Sequence, residues 1–292
     1  MSEQVFQQDL SQEEQQGGVF PIHLLMREKC GLPDKEKMLA IIEKHLGDVD
    51  CFCFSEKNIG LAVKKYPIEC DGKTAFPMLL ITDCFLNEKL EFDPLTRSQM
   101  WDCPESEDII ASCRYDVVAA DVFSSFMDYK DRAEMLADLA EALVEIYPSC
   151  EAVYFGNSGK MFTRRRFLGI DIPREVRFIY YAVNVRFVNI TGSDDKIVDS
   201  LGMSALNLPD VQYHYHDIDA NEVVRHAYNL LTYIFDNACP IKTGDTIDGL
   251  KDGKMSRDVQ WRCNFEDALV QPARTVIDVN TLEYAAGDRS QE

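Results

Sequence analysis

The 292-residue sequence predicts an α+β fold of mixed, mostly antiparallel sheets covered by helices. Three observations carry that expectation. Runs of period-two hydrophobicity alternate along the chain with runs of period 3.6, which argues for sheets packed against helices. Many of the strand-like runs carry polar residues on alternate positions, the pattern of a sheet with one wet face rather than of a wholly buried parallel sheet. With 46% hydrophobic and 10% aromatic residues, the chain has the apolar surface for a sizeable core, which excludes a disordered polymer.

Residues 1–18 are polar, acidic and rich in Gln, and they read as a flexible tail ending at Gly17-Gly18. They show neither the basic start nor the apolar centre of a secretory signal, so the expected location is cytoplasmic. A strand follows over Val19–Met26. Asp34 caps a helix whose apolar positions Met38, Leu39, Ile42 and Leu46 share one face, and Gly47 ends it. Strands are expected at Asp50–Phe54, Ile59–Val63 and Phe76–Thr82. The stretch from Asn87 to Ser112, with Pro94, Pro104, several acids and Trp101, reads as a long connector or flap.

Past Tyr115 the pattern returns. A strand is expected at Val117–Val122, then a helix from Asp131 through Met135, Leu136, Leu139, Leu143 and Ile146 to its stop at Pro148, then a strand at Glu151–Phe155. Asp34-Lys35 aligns with Asp131-Arg132, Met38-Leu39 with Met135-Leu136, and Leu46 with Leu143. A duplicated strand–helix–strand–strand unit and shared helix patterning both account for that match. Phe178–Ile190 is rich in β-branched and aromatic residues and is expected to be one strand, Asp194–Leu206 a helix broken by Gly202, and Val211–His216 a strand. Asp219 or Asn221 caps a helix through Phe235, Asp252-Gly253 marks a hairpin, and Val259–Phe265 and Thr275–Val279 are closing strands. The expected organisation is the tail 1–18, an N-terminal α+β unit over 19–112 that includes the connector 87–112, and a C-terminal α+β unit over 113–292.

The segment Leu201-Gly202-Met203-Ser204-Ala205-Leu206-Asn207-Leu208-Pro209-Asp210, the helix from Asn221 to Tyr228 and the run Gly244-Asp245-Thr246-Ile247 together resemble a bacterial family catalogued as domain of unknown function 4261. The resemblance covers residues 198–265, and residues 127–161 look like the region that precedes this domain. It implies a shared fold and a bacterial, cytosolic setting, and adds no activity, cofactor or catalytic residue.

Thirty Lys and Arg against fifty Asp and Glu leave a net charge of −20, which argues against nucleic-acid binding through bulk charge. No run approaches the roughly 18–20 apolar residues of a membrane helix. The ten cysteines include no CxxC pair, so zinc-ribbon and redox readings give way to reduced thiols.

Three clusters invite chemistry. His214 and His216, two apart on a strand, share a face; with Asp217 and with His226 on the next helix they form a candidate metal set, against the plainer reading of a solvated pair. Arg164, Arg165 and Arg166, near Arg174 and Arg177, form the basic cluster of an acidic chain, either an anion-binding turn or a solvated one. Trp101 is either an anchor that holds the connector down or part of a binding surface. The turn Gly156-Asn157-Ser158-Gly159 lacks the spacing of a nucleophile elbow and reads as a hairpin. With no catalytic constellation in view, the sequence leads to a non-catalytic binding protein without a cofactor. Its expected partner is a protein, a basic one, as for an immunity protein. The alternatives are a metal-dependent hydrolase at His214 and His216, and a small-ligand sensor with the connector as lid.

Overall fold

The computed structural model describes residues 5–11, 13–70, 72–87 and 90–287, and divides the chain into two compact units. The first spans residues 17–182 and the second residues 183–287 together with the described residues up to 16.

The first unit opens with β1 (Pro21–Met26), α1 (Lys35–Leu46), β2 (Val49–Phe54) and β3 (Asn58–Val63). A small hairpin of β4 (Ile68–Cys70) and β5 (Lys73–Ala75) follows, then β6 (Met78–Thr82) and β7 (Phe85–Leu86). Two short helices, α2 (Pro94–Ser98) and α3 (Ser106–Ser112), lie in the connector. β8 (Tyr115–Val122), α4 (Tyr129–Ile146), β9 (Ala152–Phe155), β10 (Lys160–Thr163), α5 (Arg164–Leu168) and α6 (Arg177–Ala182) complete the unit. Its sheet runs β10-β9-β1-β8-β6-β3-β2, antiparallel throughout, with β7 also pairing β8. Because β8 sits mid-sheet between β1 and β6, residues on both sides of position 112 build one layer, and the chain divides at 182/183 rather than at 112/113.

Strand–helix–strand–strand occurs twice here, as β1-α1-β2-β3 and β8-α4-β9-β10, and α1 packs beside α4. Asp34 caps α1 by accepting from the Lys37 amide, as its sequence predicts; α4 starts two residues before the expected Asp131, because Asp128 accepts from the amides of Lys130 and Asp131. On β8, Asp121 points to α4 and takes the guanidinium of Arg132 at 2.8 Å, while Asp116 points to the opposite face. The connector covers that opposite face. Met100, Cys103 and Ile109 are buried against Leu25, Ala152, Tyr154 and Met161, with Leu90 and Phe92 packed at the edge. It is a layer of the core, so of the two expectations, connector or flap, the packing agrees with a connector wrapped over the fold.

The second unit contains β11 (Asn184–Asn189), β12 (Lys196–Leu201), β13 (Asp210–Tyr215), α7 (Ala220–Asp236), β14 (Thr246–Lys251), β15 (Lys254–Asp267) and β16 (Thr275–Asn280). The order is β11-β12-β13-β16-β15-β14, with β13–β16 the parallel pair, so the sheet is mixed as predicted. α7 packs across β11, β12 and β13, and Asp219 caps it by accepting from the Asn221 amide. Between helix and sheet, Tyr213, His226 and Trp261 form a ring cluster, with the His226 and Trp261 centroids 4.7 Å apart. A bulge at Asp248/Gly249 lets β15 meet β14; a Cβ on Gly249 would stand 2.8 Å from Trp261 Nε1, so glycine is needed there.

Two expectations are corrected here. Phe178–Ile190 is not one strand: its first part is α6, pinned when Arg177 donates to Asp138 at 2.6 Å and to Glu141 at 2.5 Å on α4. Residues 194–206 hold the strand β12 and a short 3-10 turn rather than a helix, because Asp199 of β12 is drawn into a buried pair with Arg186 of β11. The segment read as a tail is tied to the second unit over its described residues. The Glu14 amide donates to the Ala273 carbonyl at 3.0 Å, and the Gln8 side chain bonds Leu269 and Gln271.

Candidate functional site

The structure does not assemble the predicted metal set. His214 and Tyr213 are neighbours on β13, so their side chains leave opposite faces, and it is Tyr213 that reaches His226. The hydroxyl of Tyr213 lies 2.8 Å from His226 Nδ1, and His226 Nε2 lies 2.8 Å from the Asp248 carbonyl. A carbonyl only accepts, so Nε2 carries the proton and Nδ1 accepts from the tyrosine. Both ring nitrogens are consumed, and burial holds the ring below its ordinary pKa, in the neutral form. His214 lies 3.7 Å from Asp195, whereas His216 pairs with its exposed neighbour Asp217 at 2.9 Å. Among the described residues no group of three or more His, Cys, Asp or Glu side chains is placed to hold a metal ion. The nine cysteines whose side chains are described are free thiols.

The arginine turn and the connector segment that carries Trp101, read separately from the sequence, are joined through Asp102. Thr163 caps α5, so Arg164, Arg165 and Arg166 leave its single turn in different directions. Arg164 and Arg165, with Arg27, line a cleft of about 500 Å³ together with Glu105, Asp108 and Glu151, and Arg27 pairs with Glu151 at 3.3 Å. Arg166 turns towards Asp102 at 3.9 Å, and Lys160, nearly buried, reaches the same carboxylate at 3.4 Å. Asp102 follows Trp101 in the chain, so the arginine turn pairs with the residue next to Trp101. Trp101 does not anchor the connector: it is 57% exposed, and the buried tryptophan of the molecule is Trp261. Its Nε1 donates to Gln99 Oε1 at 3.0 Å, and Gln99 is itself buried, so the exposed ring is held rather than free to swing. Arg174 and Arg177 are not part of this surface; they pair with Glu134, Asp138 and Glu141 of α4.

Sequence reading missed one polar pair. His23 Nδ1 lies 2.6 Å from the fully buried carboxylate of Asp116, to which Asn87 also donates at 2.9 Å. Ninety-three positions separate the pair, and only the antiparallel β1–β8 register joins them. The usable signal was a polar residue inside each of the apolar runs PIHLLM and YDVVAADV. A buried carboxylate behind an imidazole fixes the ring's orientation, as in acid–base catalysis, but among the described residues no hydroxyl or thiol is hydrogen-bonded to His23 Nε2 to be activated.

The geometry of β12 through β16 coincides with a known family model. Residues 199–280 match DUF4261, a domain of unknown function. The DUF4261 match runs from the middle of β12 to the end of β16 and takes in α7, so it reaches 15 residues beyond the 265 expected from sequence, through the strand that lies between β13 and β15. No curated protein and no solved structure matches the chain. Among the described residues no helix is long and apolar enough to cross a membrane.

Proposed function

We propose that this is a non-catalytic binding protein of the bacterial cytosol that covers a basic polypeptide partner and neutralises it, in the manner of an immunity protein. The observation that carries the reading is Trp101: a large aromatic side chain held in solvent by a buried amide. Tryptophan is prominent among the residues that dominate the energetics of protein interfaces, and an exposed indole face takes a lysine or arginine side chain by cation–π attraction.

The charge distribution supports a basic partner. Among the described residues, six buried aspartates (Asp116, Asp121, Asp138, Asp199, Asp210, Asp278) stand against five buried cations (Arg132, Lys160, Arg177, Arg186, Arg274). The interior is close to balance, so the acidic surplus of the described residues lies outside it, where it steers a cationic chain in and repels an anionic one. The test is capture from host lysate on the immobilised full chain, at about 0.15 M and about 0.5 M salt, with Trp101→Ala alongside. The reading predicts a basic protein held at the lower salt, released at the higher, and lost from the variant. Retention of nothing specific, or of a protein indifferent to both changes, contradicts it.

A further inference from the structure

The binding surface makes no use of the most heavily charged interior of the molecule. In the second unit Arg186 of β11 grips Asp199 of β12 with two donors, at 2.9 and 2.5 Å, and Arg274, just before β16, donates to the same Asp199 at 2.6 Å. Asp210 of β13 accepts from Ser200 Oγ at 2.6 Å and lies 3.7 Å from Arg274 Nε. Into this group comes Glu14, from the other end of the chain. Ser204 Oγ donates to its Oε1 at 2.5 Å, while Oε2 stands 4.0 Å from Arg274 Nε. That oxygen and that nitrogen are buried, and neither has a hydrogen-bond partner.

The charges facing Glu14 are therefore two guanidiniums, Arg186 and Arg274, and two other carboxylates, Asp199 and Asp210. Asp199 already takes both guanidiniums. A third ionised carboxylate leaves the group net negative in a buried place, which is costly; a protonated one leaves it neutral. We propose that the segment bearing Glu14 is a detachable strap, seated while the Glu14 carboxyl keeps its proton and lifting away when that proton goes to solvent, so that Arg274 and Ser204 are uncovered.

Two further facts agree. Burial and the nearby Asp210 raise the Glu14 pKa to about 7, so the change falls near neutrality, and burial raises Asp210 as well. Among the described residues the strap's other ties include exposed bonds of the Gln8 side chain to Leu269 and Gln271 and of the Asp9 amide to Gln271, and the Glu14 amide to Ala273. A segment tied through exposed hydrogen bonds opens at small cost once its buried carboxyl turns against it.

The sign follows. The seated state binds the proton more tightly than the free segment, so seating is strongest in acid and weakens as pH climbs from the ordinary glutamate value of 4.5 to about 7. The test is amide hydrogen exchange on the full chain at about pH 5.5 and about pH 8.5, corrected for intrinsic rates. Protection over residues 5–16 should fall by at least about tenfold at the higher pH in the natural chain and stay high at both in Glu14→Gln, whose amide keeps the Ser204 bond and cannot ionise. Unchanged protection in the natural chain, an equal loss in the variant, or a matching loss across β16 overturns the proposal.

Discussion

At the scale of single residues, His226 shows how a side chain that suits a metal is spent on structure. Its nitrogens join β13 to the β14 bulge through Tyr213 and Asp248, and its ring packs on Trp261. Because burial lowers its pKa beneath the ordinary 6.5, the unfolded chain takes up this proton first as pH drops. Its contribution is complete above about 6.5 and is lost as pH falls through the folded value. Urea unfolding at about pH 7.5 and about pH 5.5 should show a stability loss in acid that is smaller in His226→Gln, which can still donate to Asp248 and accept from Tyr213. An equal loss in both proteins shows that other groups set the acid limit. The sequence marked His226 as noteworthy but could not give its role, since the periodicity of α7 says which residues face inwards and not which polar atom waits across the interface.

At the scale of elements, strongly periodic segments were legible and locally ambiguous ones were not. α1, α4 and α7 have apolar faces longer than any competing strand pattern, and the caps Asp34 and Asp219 are legible in the sequence, whereas α4 is capped by Asp128 rather than opened at Asp131. The misread stretches were decided by distant partners. Arg177 turns Phe178–Ala182 into a helix by docking on α4, and Lys196–Leu201 is a strand because it pairs with β11 on one side and β13 on the other. Intrinsic preference is a weak prior against such contacts. The connector is the clearest case, since its Pro-rich, acidic composition spelled a loop while Met100, Cys103 and Ile109 supply a core layer. Ile109→Ala should therefore cost about 2–5 kcal/mol in urea unfolding, as truncation of a buried side chain does. A lid would tolerate the change almost without loss, and that result would remove the connector from the core.

At the scale of the whole molecule, the acidic balance was readable from composition, but its placement was not. Only the fold shows that, among the described residues, the buried aspartates and the buried arginines and lysine nearly cancel, so that their surplus of acids is left outside. Trp101 was likewise visible as a residue and invisible as a surface, because nothing in its neighbourhood of the sequence says that Gln99 would be buried and the indole left out. Together these features make one claim, that the molecule works by offering an acidic exterior and a fixed indole to a cationic chain. The most direct measurement is the affinity of the captured partner for the natural chain and for Trp101→Ala across a salt series. The account predicts binding that weakens steadily with ionic strength and drops at least about tenfold in the variant, as expected on losing an interface hot spot. Affinity that ignores both salt and Trp101 would contradict it.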